Sequence, residues 1–172
     1  KGHGWVSDAS EPVGLHWYKR QPLRESMQFE GLSDLDMAKL HITSLMNSNA
    51  PSPSVETLLH AFLPHKFIDH THSNAILALT DQPEGGELFK SVFGSRVALV
   101  PYVMPGFQLA KSALEIFKRN TDCEALILLK HGIFTFGDTA KVAYDRMIDL
   151  VTLAEVQVPT VPVSLVKYVP YP

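Results

Sequence analysis

At 172 residues, 45% hydrophobic and 19% charged, the chain is long enough to bury its own core and too apolar to be disordered throughout. A net charge of −3 with no lysine or arginine block argues against nucleic acid or an anionic membrane as partner. Cys123 is the single cysteine, which rules out an intrachain disulfide and favours a reducing, cytoplasmic setting, and no apolar run is long enough to span a membrane.

The first stretch, Lys1 to Gly31, mixes glycine, proline and aromatics with little periodicity and predicts a turn, one or two short strands and a long loop. It opens on KGHGWVSD, with no apolar h-region and no initiator methionine, so no signal peptide is expected and the chain reads as processed, as engineered or as a fragment whose first segment is missing. A helix is predicted from Ser33, with Asp36 at capping-box spacing and Leu35, Ala38, Ile42 and Leu45 on one face. NSNAPS, residues 47–52, reads as a loop. Ser52 is the expected cap and Pro53 the first residue of the next helix, whose buried stripe would be Val55, Leu58, Leu59 and Phe62. In that helix Glu56 and His60, four apart, share an adjacent face, and Pro64 ends it.

Lys66 to Thr71 then predicts a strand, Ser73 the cap of a short helix, and Gly85–Gly86 a turn before another helix near Glu87–Phe93. Arg96–Val100 is a short strand, Gly106–Arg119 an amphipathic helix, and Ala125–Leu129 and Ile133–Phe136 two further strands. Asp138 is the expected cap of the longest helix, which runs to about Glu155 with Ala143, Met147, Leu150, Val151 and Ala154 inward. Beyond it, an extended tail is expected over residues 156–172, richest in proline and valine from Pro159. The whole reads as a single domain over residues 1–172, an α/β sandwich of about four or five short strands with helices on the sheet faces.

The stretch from Pro53 to Thr80 carries the residues with chemistry. On a strand, His70 and His72 point to the same side and can converge on one ion. Neutral imidazoles bind zinc, and three histidines with an open position form a catalytic arrangement, although an H-x-H pair also arises by coincidence. His131 ends an apolar strand next to Gly132, where α/β folds place functional groups; the plainer reading is a loop histidine. Glu56 at a helix start either complements the helix dipole or serves as a general acid/base beside the metal. Asp69 could support the histidines or simply be solvated. Tyr102, after a short strand and before a Pro–Gly turn, is ordinarily a packing residue. His60 and His65 read as structural or exposed, and His3, His16 and His41 have no partner pattern.

The ordered set P-S-x-E, D-H-x-H, V-P-Y-x-x-x-G and L-L-x-H-G before a long helix resembles the class II aldolase/adducin family, over about Lys1 to Glu155. The resemblance implies a three-layer αβα sandwich whose central sheet is largely antiparallel. It implies a divalent ion, Zn2+ or else Mn2+, Co2+ or Fe2+, on His70, His72 and His131, with Glu56 as catalytic acid/base. Tyr102 would be a proton donor that can reach a neighbouring subunit's site. Ser54, and Gly4 in the Lys1-Gly2-His3-Gly4 turn, would contact substrate. The family's G-N-x-S turn has no counterpart here, and Val55 stands where phosphate-binding relatives carry a second hydroxyl. The implied activity is retro-aldol cleavage of a ketose or ketose phosphate through an enediolate, in a homo-oligomer, by analogy a tetramer. An aspartate in the epimerase branch at the position of Glu56 tilts the reading towards aldolases. A dehydratase or epimerase on the same metal site, and a non-catalytic adducin-like assembly module, are the alternatives.

Overall fold

The computed structural model describes residues 18–47, 49–50, 53–82 and 85–158. The expected first turn with Gly4, the Ser52 cap and the tail from Pro159 lie outside the described residues.

The chain runs α1 (Arg20–Glu25), α2 (Asp34–Ser44), α3 (Thr57–Phe62), β1 (Phe67–Thr71), α4 (Asn74–Thr80) and α5 (Gly85–Phe93). It continues with β2 (Val97–Val100), α6 (Phe107–Arg119), β3 (Ala125–Leu128), β4 (Gly132–Gly137) and α7 (Ala140–Gln157). The four strands form one sheet in the order β1-β4-β3-β2, antiparallel at β1–β4 and β4–β3 and parallel at β3–β2. The parallel step is made across α6, because parallel neighbours need a long crossover, whereas β3 and β4 are joined by a tight turn. The expected three-layer sandwich with a largely antiparallel sheet is the observed one.

Alternation along the central strands builds two cores. Leu126, Leu128, Phe134 and Phe136 face α1, α3 and α6, together with Leu58, Phe62, Phe107, Ala110 and Phe117. Ala125, Ile127 and Ile133 face the other way, against α4, α5 and α7, with Ile76, Phe89, Phe93, Met147, Leu150 and Ala154. β3 and β4 are buried along their whole length, which is why they read as apolar runs rather than as alternating strands. Thr135 is the polar exception. Its buried hydroxyl donates to the Ala143 carbonyl at 2.8 Å, and Arg146 donates to the Phe136 carbonyl at 2.6 Å, so both bonds fix α7 on β4.

Several local expectations are corrected. The stretch before Gly31 forms a helix, α1, because Pro22 falls in its first turn, where no amide bond is lost, and Leu23 anchors it in the core. Ser33 caps α2 as expected, accepting from the Asp36 amide at 3.1 Å. The face that α2 buries is Met37, His41 and Ser44, however, and Leu35 and Ile42 are exposed. α3 begins at Thr57, not at Pro53, with Glu56 in the cap position and Val55 outside the buried stripe. Gly85 and Gly86 form the first turn of α5 itself. A Cβ on Gly85 would lie 2.8 Å from the Thr80 carbonyl oxygen, so the close approach of α4 and α5 requires glycine there. The cap of α7 is Thr139, which accepts from the Val142 amide at 3.2 Å, rather than Asp138. α7 extends through Gln157, so residues 156 and 157 are helical and not part of an extended tail.

Candidate metal centre

β1 brings His70 and, just past its end, His72 to the side of the sheet that carries Phe134. His70 pairs across the ladder with Phe134, and the two rings stack at 3.9 Å between centroids and 14° between planes. That contact and a 2.9 Å hydrogen bond from His70 Nδ1 to the Ile133 carbonyl oxygen hold the imidazole in one orientation. A carbonyl can only accept, so Nδ1 carries the proton and a neutral His70 presents its Nε2 lone pair to the site. A main-chain carbonyl that fixes the tautomer in this way is the usual support of a metal-ligating histidine.

His131 closes the β3–β4 turn, its amide donating to the Leu128 carbonyl oxygen at 3.1 Å. Gly132 follows it for a steric reason: a Cβ there would lie 2.5 Å from the Thr71 carbonyl oxygen and 3.1 Å from His72 Cδ2. Only a residue without Cβ lets the start of β4 pass so close to the histidine pair. Glu56 arrives from the opposite side, at the cap of α3. The Ser54 hydroxyl donates to Glu56 Oε2 at 3.1 Å and also accepts from the Glu56 amide at 3.3 Å, an arrangement that aims the carboxylate inward.

Glu56 Oε1 thereby lies 3.1 Å from His70 Nε2, 3.1 Å from His72 Nε2 and 3.0 Å from His131 Nε2. The Nε2 atoms of His70 and His72 are 2.9 Å apart. One ligand atom from each of the four residues falls within 4.8 Å of every other. Glu56, His70 and His131 are nearly buried and His72 is half exposed, so the cluster has a dry interior and one open side. The donor set fits a divalent ion. Lone pairs of neutral imidazoles turned on one another and on a carboxylate are mutually repulsive, and a shared cation relieves that repulsion. The chemistry of the set suits zinc or another first-row divalent metal.

The three histidines and Glu56 expected at the site are brought together, and others are not. Among the described residues the Tyr102 hydroxyl meets only Met104 Sδ, at 3.8 Å; its side chain is 53% exposed and belongs neither to the cluster nor to the described lining of the pocket beside it. Ser54 meets the carboxylate of Glu56. Asp69 occupies the opposite face of β1 from His70, where burial pushes its carboxyl above the ordinary range, so it cannot support the histidines. His60 and His65 are structural, with edge-on contact to Phe134 and stacking on Phe136 respectively. A pocket of about 390 Å³ opens beside the cluster, of the size that takes a small molecule. Leu77, Asp81, Pro105 and Lys130 line it together with Val55, Glu56, His72 and His131. The first four carry no spacing signal; only the folded chain brings them to the metal cluster.

The sequence matches the Class II Aldolase and Adducin N-terminal domain family over residues 23–158. It is 36% identical over 155 residues to the Bacillus subtilis protein named Uncharacterized oxidoreductase YuxG, a match that covers 90% of this chain and 22% of that protein. The chain thus spans about a fifth of that relative's length. Among solved structures, the N-terminal class II aldolase domain of a conserved protein from Thermoplasma acidophilum superposes with a TM-score of 0.81 at 37% identity. That match covers 91% of this chain and 72% of that one. A sugar-phosphate aldolase from Thermotoga maritima shares the fold, with a TM-score of 0.54 and 24% identity over 66% of this chain and 56% of its own. With the family model matched over residues 23–158 and its four ordered motifs in place, the chain belongs to the class II aldolase and adducin family.

Proposed function

We propose that the chain is a divalent-metal-dependent lyase of the aldolase type, cleaving a carbon–carbon bond in a ketose or ketose phosphate. The observation that carries this reading is the convergence of three histidine Nε2 atoms, at 3.0–3.1 Å, on one oxygen of a buried carboxylate beside an open pocket. His70, His72 and His131 would hold the ion. Bound there, a divalent cation supplies Lewis-acid polarisation to the hydroxyl and carbonyl oxygens of a substrate.

The remaining chemistry belongs to side chains. In the cleavage direction the hydroxyl on the far carbon gives up its proton and becomes the aldehyde. The carbon–carbon bond breaks, and its electron pair stays on the carbon next to the carbonyl. The Tyr102 oxygen of a neighbouring copy accepts the hydroxyl proton as the aldehyde forms, Glu56 as the carboxylic acid delivers a proton to the electron-rich carbon, and exchange with solvent resets both groups, so that no net proton is gained or lost. Ser54 positions Glu56 by holding Oε2, which leaves Oε1 directed at the reacting groups. The exclusion of water from the Glu56 side strengthens each of these interactions.

The test combines elemental analysis with a panel of phosphorylated and unphosphorylated ketoses, products being identified by NMR. Metal-replete protein is expected to release an aldehyde from one of them. Glu56→Gln is expected to retain the ion on the three histidines and lose roughly 10²-fold or more in kcat. Dehydrated or epimerised product would assign the same site to those reactions instead. Absence of both cleavage and carbon–hydrogen exchange on every ketose, with Glu56→Gln indistinguishable from the parent, would refute the lyase.

A further inference from the structure

The turn that carries His131 contains an anomaly. Lys130, the third residue of the turn closed by the His131 amide on the Leu128 carbonyl, has φ of +58°, and it is the only non-glycine residue with positive φ among those described. Turns put glycine or asparagine at such a position because a Cβ crowds the backbone there. A lysine there has no structural role to offset that crowding: it is exposed and makes no ion pair or side-chain hydrogen bond among the described residues. Strain kept in this way beside a functional cluster points to use.

The composition of the pocket says which use. Among the described residues Lys130 is the only lysine or arginine in the lining, whose other formal charges are the carboxylates of Glu56 and Asp81. Glu56 is engaged by the histidines. The hydroxyl of Ser54, the other donor expected for an anionic substrate group, is given to Glu56. An anion entering this pocket therefore finds one ammonium group, next in sequence to a metal-binding histidine, and is repelled by Asp81. We propose that Lys130 anchors an anionic group of the substrate, a phosphate or a carboxylate, and that the strained turn places the ammonium beside His131 for that purpose. The proposal rests on the metal-dependent lyase reading, and it makes the substrate an acidic hydroxyketone.

Three probes share the same hydroxyketone end: neutral dihydroxyacetone, its phosphate, and hydroxypyruvate. Calorimetric titration of each into Zn2+-loaded protein should show one of the charged probes binding about tenfold or more tightly than the neutral one. The preferred probe identifies phosphate or carboxylate as the group recognised. In Lys130→Gly that ratio should fall to about one while the melting temperature rises, since glycine relieves the turn; Lys130→Arg should retain the preference. Lys130→Asn, which also tolerates the turn, should behave as the glycine variant does. Equal affinities for charged and neutral probes in the parent, or a preference that persists in Lys130→Gly, would overturn the role of Lys130 while leaving the lyase reading intact. Failure of all three probes to bind the Zn2+-loaded protein would instead remove the reading on which the proposal depends.

Discussion

Gly132 shows how much of the site depends on an atom that is absent. The Nε2 cluster needs the start of β4 to pass within contact distance of the end of β1. A methyl group at residue 132 would lie 2.5 Å from the Thr71 carbonyl oxygen, 3.1 Å from His72 Cδ2 and 3.3 Å from His70 Cε1. Neither a ladder carbonyl nor two packed rings can yield that distance cheaply. Gly132→Ala is therefore expected to destabilise the fold by about 1–3 kcal/mol and to weaken metal binding by roughly 10-fold or more. Gly86→Ala is the control, because a Cβ there meets only Leu99 Cδ2 at 3.9 Å within a helix, and it should be neutral or slightly stabilising. Chelator competition and urea unfolding on both variants measure the two effects; equal behaviour of the two would sink the steric account. At this scale the sequence is partly readable. His70, His72, His131 and Glu56 stand out by type, order and spacing. That Ser54 serves the carboxylate, and that Lys130 and Asp81 share a pocket with His72, follows only from tertiary placement.

Among the elements, the long apolar ones were legible and the short ones were not. α6 buries Phe107, Ala110, Leu114 and Phe117, α7 buries Ala143, Met147, Leu150 and Ala154 with Val151 half-buried, and β3 and β4 are buried throughout, Leu129 alone falling outside the strand. α3 starts four residues after Pro53, which imitates a helix start in sequence, because the helix begins only once Glu56 has turned towards the histidines. α2 hides its inward face from a hydrophobicity pattern, because that stripe is Met37, His41 and Ser44, two of them polar. That stripe has a consequence for pH. His41 is 3% exposed with no hydrogen-bond partner on Nε2 among the described residues, and burial lowers its pKa from the ordinary 6.5. The unfolded chain thus takes up a proton at a higher pH than the folded one. Stability is complete above the unfolded value of 6.5 and declines as pH falls from there towards the lowered folded value. The slope in that window approaches about 1.4 kcal/mol per pH unit for a single such group. His41→Leu removes it and fills the site with apolar atoms. In urea unfolding of metal-free protein, the stability difference between His41→Leu and the parent should widen from pH 7 towards pH 5. A difference that stays constant across that range would mean that His41 is not held neutral by the fold.

For the whole molecule, the sheet separates two cores, and the metal cluster stands at one end of it, where the first strand, the β3–β4 turn and the cap of α3 meet. No helix among the described residues is long and apolar enough to cross a membrane. Within one copy Glu56, the three histidines and the pocket come together, whereas Tyr102, the proton carrier of the proposed reaction, is exposed. It is 53% exposed on a loop with Met104, which is 71% exposed, and its hydroxyl has only a thioether as partner. A bulky apolar pair outside the pocket, with a phenol at its centre, is what a surface that completes a neighbour's site would carry. Sites shared in this way make two inactive proteins complementary. Under the proposed lyase mechanism Tyr102→Phe lacks that carrier and Glu56→Gln lacks the acid/base, and a mixed oligomer with shared sites would contain some with Glu56 from one copy and Tyr102 from another. If the subunits are randomised by unfolding and refolding an equimolar mixture, roughly a quarter of the sites should hold both intact groups and recover a corresponding share of activity. Each variant treated alone should recover none. If both residues act within one copy, the mixture stays at the sum of its two inactive parts, because no randomisation can place both intact groups in the same chain.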